Sequence, residues 1–204
     1  MTLLLSFFLK TLNVKRLSLS SFKYFLHPLL GINMNKKRFY NLVRRDLGSA
    51  FLERFVQQTL DVEKLKKTCK ELQESSIQVN GNCVGVSIHL FDELSKEGFS
   101  PVIVAGTLKV NGCYAFKCPK NAKKIISNNG TDSHFWVQVD EHIVDASLIS
   151  TARLDSIGNV NDFVQSTFNA DEHEIIGKSS LLKPLGLNYI PMYVFDRETL
   201  INHL

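Results

Sequence analysis

Three side chains in this sequence have the types and order of a nucleophile, a base and an orienting carboxylate: Cys83, His134 and Asp145. Cys83 lies in Gly81-Asn82-Cys83-Val84-Gly85-Val86-Ser87, His134 in Ser133-His134-Phe135-Trp136-Val137-Gln138-Val139, and Asp145 in Ile143-Val144-Asp145-Ala146. An imidazole beside a thiol takes its proton and returns it to a leaving group. A carboxylate behind the imidazole fixes its tautomer and stabilises its charged form. The chemistry would be that of a thiol enzyme acting through a thioester. Singly, each residue has a plainer use: a small buried cysteine, a hydrogen-bonded strand histidine, a strand-end carboxylate. Their joint occurrence in order is what points to catalysis.

Such chemistry depends on the elements that hold these residues. Ser75 to Asn82 is polar and without a sustained period, which predicts a loop, and then Val84, Ile88, Phe91 and Leu94 recur at helical spacing until Gly98. Gly98 suits the left-handed position after a helix end. Cys83 is thereby placed in the first turn of a helix, where unpaired amides and the positive end of the helix dipole favour thiolate over thiol. Gly85 keeps the space beside the sulfur small enough for close approach of a substrate. The Cys83 amide is one candidate oxyanion donor. Gln78, Asn80 or Asn82 would supply a second from its side chain, with Gln78 preferred.

Downstream the period changes to that of strands. Pro101 to Leu108 reads as a buried strand, Asn111-Gly112 as a tight hairpin turn, and Tyr114 to Lys117 as the partner strand. After a Lys- and Asn-rich loop from Pro119 to Thr131, residues Phe135, Val137 and Val139 alternate with His134, Trp136 and Gln138. A turn at Asp140-Glu141 returns the chain along His142 to Ala146. The numbering then gives a geometric test. With a two-residue turn, His134 stands opposite Ser147 and diagonal to Asp145 on the same face, about 7 to 8 Å backbone to backbone. An odd loop or a bulge would put them on opposite faces. Trp136, two residues from His134, is a substrate-binding candidate, with packing in the sheet core as its plainer role.

Upstream, Phe39, Leu42, Val43, Leu47, Ala50, Phe51 and Phe55 describe one amphipathic helix ending near Leu60. Asp61 is positioned to cap a second, with Val62, Leu65, Cys69 and Leu72 on its apolar face. Beyond Ser150 the pattern predicts a short helix over Asn161 to Phe168, an acidic connection from Ala170 to Glu174, and a strand from Leu187 to Phe195. Pro191 assigns that strand to an edge or a bend.

Composition narrows the functional classes. The chain has 204 residues, 44% hydrophobic and 22% charged, which predicts one sizeable core. Its four cysteines, Cys69, Cys83, Cys113 and Cys118, are too few and irregular for a disulfide framework, which predicts reduced thiols and a cytoplasmic setting. They form no paired, short-spaced zinc motif, and no Gly-rich phosphate loop is present, so neither metal nor nucleotide cofactor is expected. The net charge of +4 comes from residues 1–33, which hold Lys10, Lys15, Arg16 and Lys23 and no acid. The remainder balances at 20 basic against 20 acidic residues. No nucleic-acid partner is therefore expected, and the basic run around Lys36, Lys37, Arg38, Arg44 and Arg45 reads as a solvated helix face. The apolar stretch Leu3 to Leu9 is far short of the about 20 residues of a membrane-spanning helix. Residues 1–33 read as a basic, apolar extension, either a segment lying on a membrane or domain surface or a product of start-site choice, with Met34 the expected start. Residues 34–204 read as a single α+β domain.

These motifs also resemble a family. Asn82-Cys83 opening a helix, then His134-Phe135-Trp136-Val137-Gln138-Val139, then Ile143-Val144-Asp145-Ala146-Ser147, is similar to the transglutaminase-like branch of the papain-like thiol enzymes, over about residues 78 to 150. That group includes proteases, amidases, arylamine acyltransferases and leader peptidases. The resemblance implies N-terminal helices with the nucleophile helix packed on an antiparallel sheet. It implies Cys83 as nucleophile, His134 as general base, Asp145 as third member and Gln78 near the oxyanion glutamine. The expected function is hydrolysis or acyl transfer on an amide of a peptide or protein. The alternative is an inactive transglutaminase-like domain that binds a peptide or protein partner in the same cleft.

Overall fold

An antiparallel sheet forms the frame on which every element of the site is hung. The structure, a computed structural model, describes residues 36–74, 83–121, 125, 133–154 and 159–202. The chain separates into two units, Met1–Arg38 and Phe39–Leu204. The sheet lies wholly in the second. Its strands are β1 (Val102–Val110), β2 (Cys113–Phe116), β3 (His134–Val139), β4 (His142–Asp145), β5 (Ile175–Lys178) and β6 (Leu187–Phe195). They pair in the order β2-β1-β3-β4-β5, with β6 also on β1. β1 is long enough to pair with β6 along one edge and to divide its other edge between β3 and β2.

Helices cover both faces, which is why strand β3 is buried at all six positions rather than at alternate ones. On one face, Val102, Val104, Leu108, Trp136, Ile143 and Tyr189 pack with side chains of α1 (36–47), α2 (Ser49–Gln57), α5 (Leu148–Leu154) and α6 (Asn159–Thr167). On the other, Val137, Val139 and Val144 pack beneath α3 (Val62–Glu74) and α4 (Cys83–Lys96). Burying a strand on both sides replaces the in-out alternation by two interleaved apolar sets. The chain is thus a mixed α+β fold. Among the described residues no helix is long and apolar enough to cross a membrane.

Local chemistry explains most element limits. Asp61 accepts the amide hydrogen of Lys64 at 3.0 Å and so caps α3, as its position predicts. Asn111 and Gly112, both at positive φ, make the β1–β2 turn. Gly98, at φ 85, ends α4 while the Phe99 amide donates to the Leu94 carbonyl. The expected single helix from Phe39 to Leu60 is instead two helices. Gly48, at φ 87, breaks it, although the Gly48 amide still donates to Arg44 and its carbonyl still accepts from Leu52. β6 meets both expectations raised by Pro191: it lies on an edge, and Met192 is an extra residue between the pairs Ala105–Tyr193 and Gly106–Pro191. That bulge is braced from α1, where Asp46 accepts the Val194 amide at 3.0 Å and Arg45 donates to the Met192 carbonyl at 3.2 Å. Arg45, expected on a solvated basic face, is thereby tied to its own neighbour and to the sheet edge.

Gly106 is the closest point of approach in the sheet. A Cβ there would lie 2.4 Å from the Ile190 carbonyl oxygen and 2.5 Å from the Trp136 ring. One of those atoms is backbone and the other belongs to a buried ring, so neither can give way. Gly106→Ala is expected to cost about 3 kcal/mol, the upper end of ordinary overpacking. Urea denaturation at constant m-value measures it, and a loss under about 0.5 kcal/mol, the range of a bland surface change, would mean that the strands yield.

Candidate active site

The hairpin β3–β4 is decisive for the geometry of the expected triad. Val139 pairs with His142, Gln138 with Ile143 and Val137 with Val144, so the turn has two residues, Asp140 and Glu141. Asp140, at φ 50, supplies the left-handed turn position. Continuing that register sets His134 and Asp145 on one face, and their side chains close the diagonal: His134 Nε2 lies 2.5 Å from Asp145 Oδ2. Both are almost wholly buried, at 1% exposure each.

Asp145 is saturated with donors. Its Oδ1 accepts from the Ser147 amide at 3.0 Å, the Ser147 hydroxyl at 3.0 Å and the Leu148 amide at 3.1 Å. Its Oδ2 takes the imidazole and the Tyr189 hydroxyl, the latter at 2.8 Å. The carboxylate therefore also serves the start of α5, whose first amides would otherwise be unpaired. Burial pushes the Asp145 carboxyl up, but the imidazolium charge, its hydrogen bond, the Ser147 amide and the Tyr189 hydroxyl together hold it below the usual carboxylate range. For His134 burial is again the largest single influence and favours the neutral ring. The Asp145 charge and hydrogen bond, with a further contribution from Cys83, outweigh it and raise the imidazole well above its ordinary range. Both shifts favour the ionised pair.

Cys83 opens α4. That helix runs along β3, with Val84 sharing a cluster with Phe135, and Val86, Leu90 and Leu94 sharing one with Val137 and Val139. The helix covers the face of the sheet opposite to the one that carries His134, and its first residue acts on the imidazole from the end of β3. The thiol is close enough to raise the proton affinity of the ring, yet among the described residues Nδ1 has no partner at hydrogen-bond geometry. With Nε2 taken by Asp145, Nδ1 is the nitrogen left for the sulfur. We read the two as neighbours without a formed hydrogen bond, because a thiol contact strong enough to perturb the ring need not meet hydrogen-bond geometry, and such contacts commonly tighten only when substrate is bound.

The remaining cysteines differ in kind. Cys69 is buried on α3, as its place in the apolar stripe predicts, and burial pushes its thiol up to about 12. Burial also raises the Cys118 thiol. Cys113 is exposed on β2, and all four are free.

Trp136, a substrate-binding candidate in the sequence, is a core residue. At 1% exposure it lies beneath the imidazole, with ring centroids 6.1 Å apart. A substrate arriving from solvent does not reach it, because the helices on its face close over the ring. The aromatic surface next to the imidazole that is only half-buried belongs to Phe116, stacked on His134 at 5.0 Å and 22°. Gln78 falls outside the described residues. Among the described residues no group of three or more His, Cys, Asp or Glu side chains is placed to hold a metal ion.

Sequence reasoning missed Tyr189 and Ser147 as partners of Asp145. Asp145-Ala146-Ser147 at a helix start carries a local signal, since Asp and Ser two apart are a common capping pattern. Tyr189 is 44 residues away on another strand and carries none. No family model, curated protein or solved structure matches the chain.

Proposed function

We propose that this protein is a cysteine-nucleophile hydrolase or acyl transferase acting on an amide of a peptide or protein, built on a papain-like, transglutaminase-like plan. The observation that carries the reading is the imidazole of His134, held through Nε2 by a buried carboxylate while a thiol at the first residue of a helix raises its proton affinity. Cys83 as thiolate attacks the substrate carbonyl carbon, and the carbonyl oxygen becomes an oxyanion met by the Cys83 amide and, in this proposal, by Gln78. The imidazolium gives its Nδ1 proton to the departing amine as the C–N bond breaks, leaving a thioester on Cys83. Water or an amine then attacks the thioester, losing its proton to Nδ1, and the C–S bond breaks to return the thiolate. Which nucleophile enters second separates hydrolysis from transfer.

A second reading, an inactive domain that binds a peptide or protein partner, is favoured by one observation: the base is 1% exposed. Acylation separates the two. In p-nitrophenyl acetate, read by peptide mass spectrometry, the acetyl group is expected on Cys83 well before Cys113, whose exposed thiol is the internal control. Loss of that preference in His134→Gln completes the expected result. Acetylation of Cys83 no faster than Cys113 would favour the binding domain.

A further inference from the structure

We infer that Tyr189 is a positioning residue that limits how firmly Asp145 holds the imidazolium of His134, and so keeps that proton transferable to a leaving group. The inference rests on the proposed role of the Cys83–His134 pair. Its basis is the division of labour on one carboxylate. Three donors from the start of α5 occupy Oδ1, whereas Oδ2 is shared by the imidazole at 2.5 Å and the tyrosine hydroxyl at 2.8 Å. A carboxylate oxygen that accepts two hydrogen bonds spreads its charge over both. Removing one donor leaves the whole pull of that oxygen on the other.

The hydroxyl is built in, not borrowed from the surface. Tyr189 is 3% exposed. Its register opposite Leu108 sets the ring on the face that carries His134 and Asp145. Its edge meets the Trp136 ring at 5.1 Å and 71°, which blocks rotation away. The strand is held in that register from outside by Asp46 and Arg45 at the Met192 bulge. Burial and the carboxylate keep the phenol protonated, so it remains a donor throughout the working range. Among the described residues, the titratable groups acting on the imidazole are Asp145 from β4 and Cys83 from α4, with Tyr189 acting from β6 through the carboxylate. The field of Asp145 also reaches Cys69 on α3.

The test is an NMR titration of the His134 Cε1 proton in the whole protein, assigned with His134→Gln. In Tyr189→Phe the midpoint is expected to move to higher pH, because the remaining hydrogen bond tightens. In protein made with 3-fluorotyrosine, whose hydroxyl is the stronger donor, it is expected to move to lower pH. This second arm keeps the ring and the fold, so it decides the matter where the phenylalanine variant does not fold. A midpoint unmoved by both changes, or moved in the opposite senses, would overturn the role of Tyr189. The titration needs no turnover. A His134 shift without Cys83 acetylation would sink the enzymatic reading and leave the tuning standing, and acetylation without the shift would do the reverse.

Discussion

Asp145→Ala is expected to destabilise the fold by about 3–5 kcal/mol, the range for removing one partner of a buried ion pair. The change strands five donors at once: the His134 ring, the Tyr189 hydroxyl, the Ser147 amide and hydroxyl, and the Leu148 amide. Each is buried, so water does not replace the lost oxygen. Asp145→Asn is expected to cost less, since its oxygen can keep the α5 amides and its NH2 can donate to the tyrosine hydroxyl. It still removes the charge that holds the imidazolium. Chemical denaturation of both variants measures the difference, and equal, small losses in the two would contradict the account of Asp145 as a hub.

The same pair sets a pH signature. The folded Asp145 carboxyl is lowered, so its contribution is present above the unfolded value of about 3.9 and is lost as pH falls through the folded value. The folded His134 imidazole is raised, so its contribution is fully present below the unfolded value of about 6.5 and is lost as pH rises through the folded value. Together they contribute most between about pH 4 and 6.5. Melting temperature is therefore expected to fall on the alkaline side in the wild type, with a shallower alkaline fall in Asp145→Asn and His134→Gln.

The second large effect concerns turnover. Cys83→Ala removes the atom that would form the thioester in the proposed reaction and is expected to abolish acyl transfer. His134→Gln leaves the thiol without its proposed proton partner and is expected to slow the reaction by about 10²–10⁴-fold, the usual contribution of a positioned acid-base group. Cys113→Ser, a change at an exposed position on β2, is expected to leave the rate unchanged. Single-turnover acylation measures all three. Equal losses in Cys83→Ala and Cys113→Ser would point to general damage and not to a nucleophile.

How far the sequence disclosed this arrangement depended on whether the relevant force was local. The β3–β4 hairpin was legible because strand period and a two-residue turn fix which residues share a face, and His134 and Asp145 are only eleven apart. The α4 boundaries were legible from helical spacing and Gly98. The break at Gly48 was not, because a single glycine inside a helical pattern can be tolerated without ending the helix. Short elements such as β5, α7 (Ser179–Leu182) and α8 (Arg197–Ile201) carry too few residues to establish a period. For Trp136 the sequence named the neighbourhood but not the depth, which is set by helices on both faces of the sheet. Tyr189 was legible as a strand residue and invisible as a partner, because its contact is made by the pairing of β6 with β1.

The most direct test of the Cys83–His134 pair is iodoacetamide labelling of all four cysteines as a function of pH, read by peptide mass spectrometry in the wild type and in His134→Ala. Cys83 is expected to be labelled ahead of exposed Cys113, with Cys69 shielded by burial, and His134→Ala is expected to abolish that preference. Labelling of Cys83 that tracks the pH course of exposed Cys113, unchanged by the histidine substitution, would contradict the pairing.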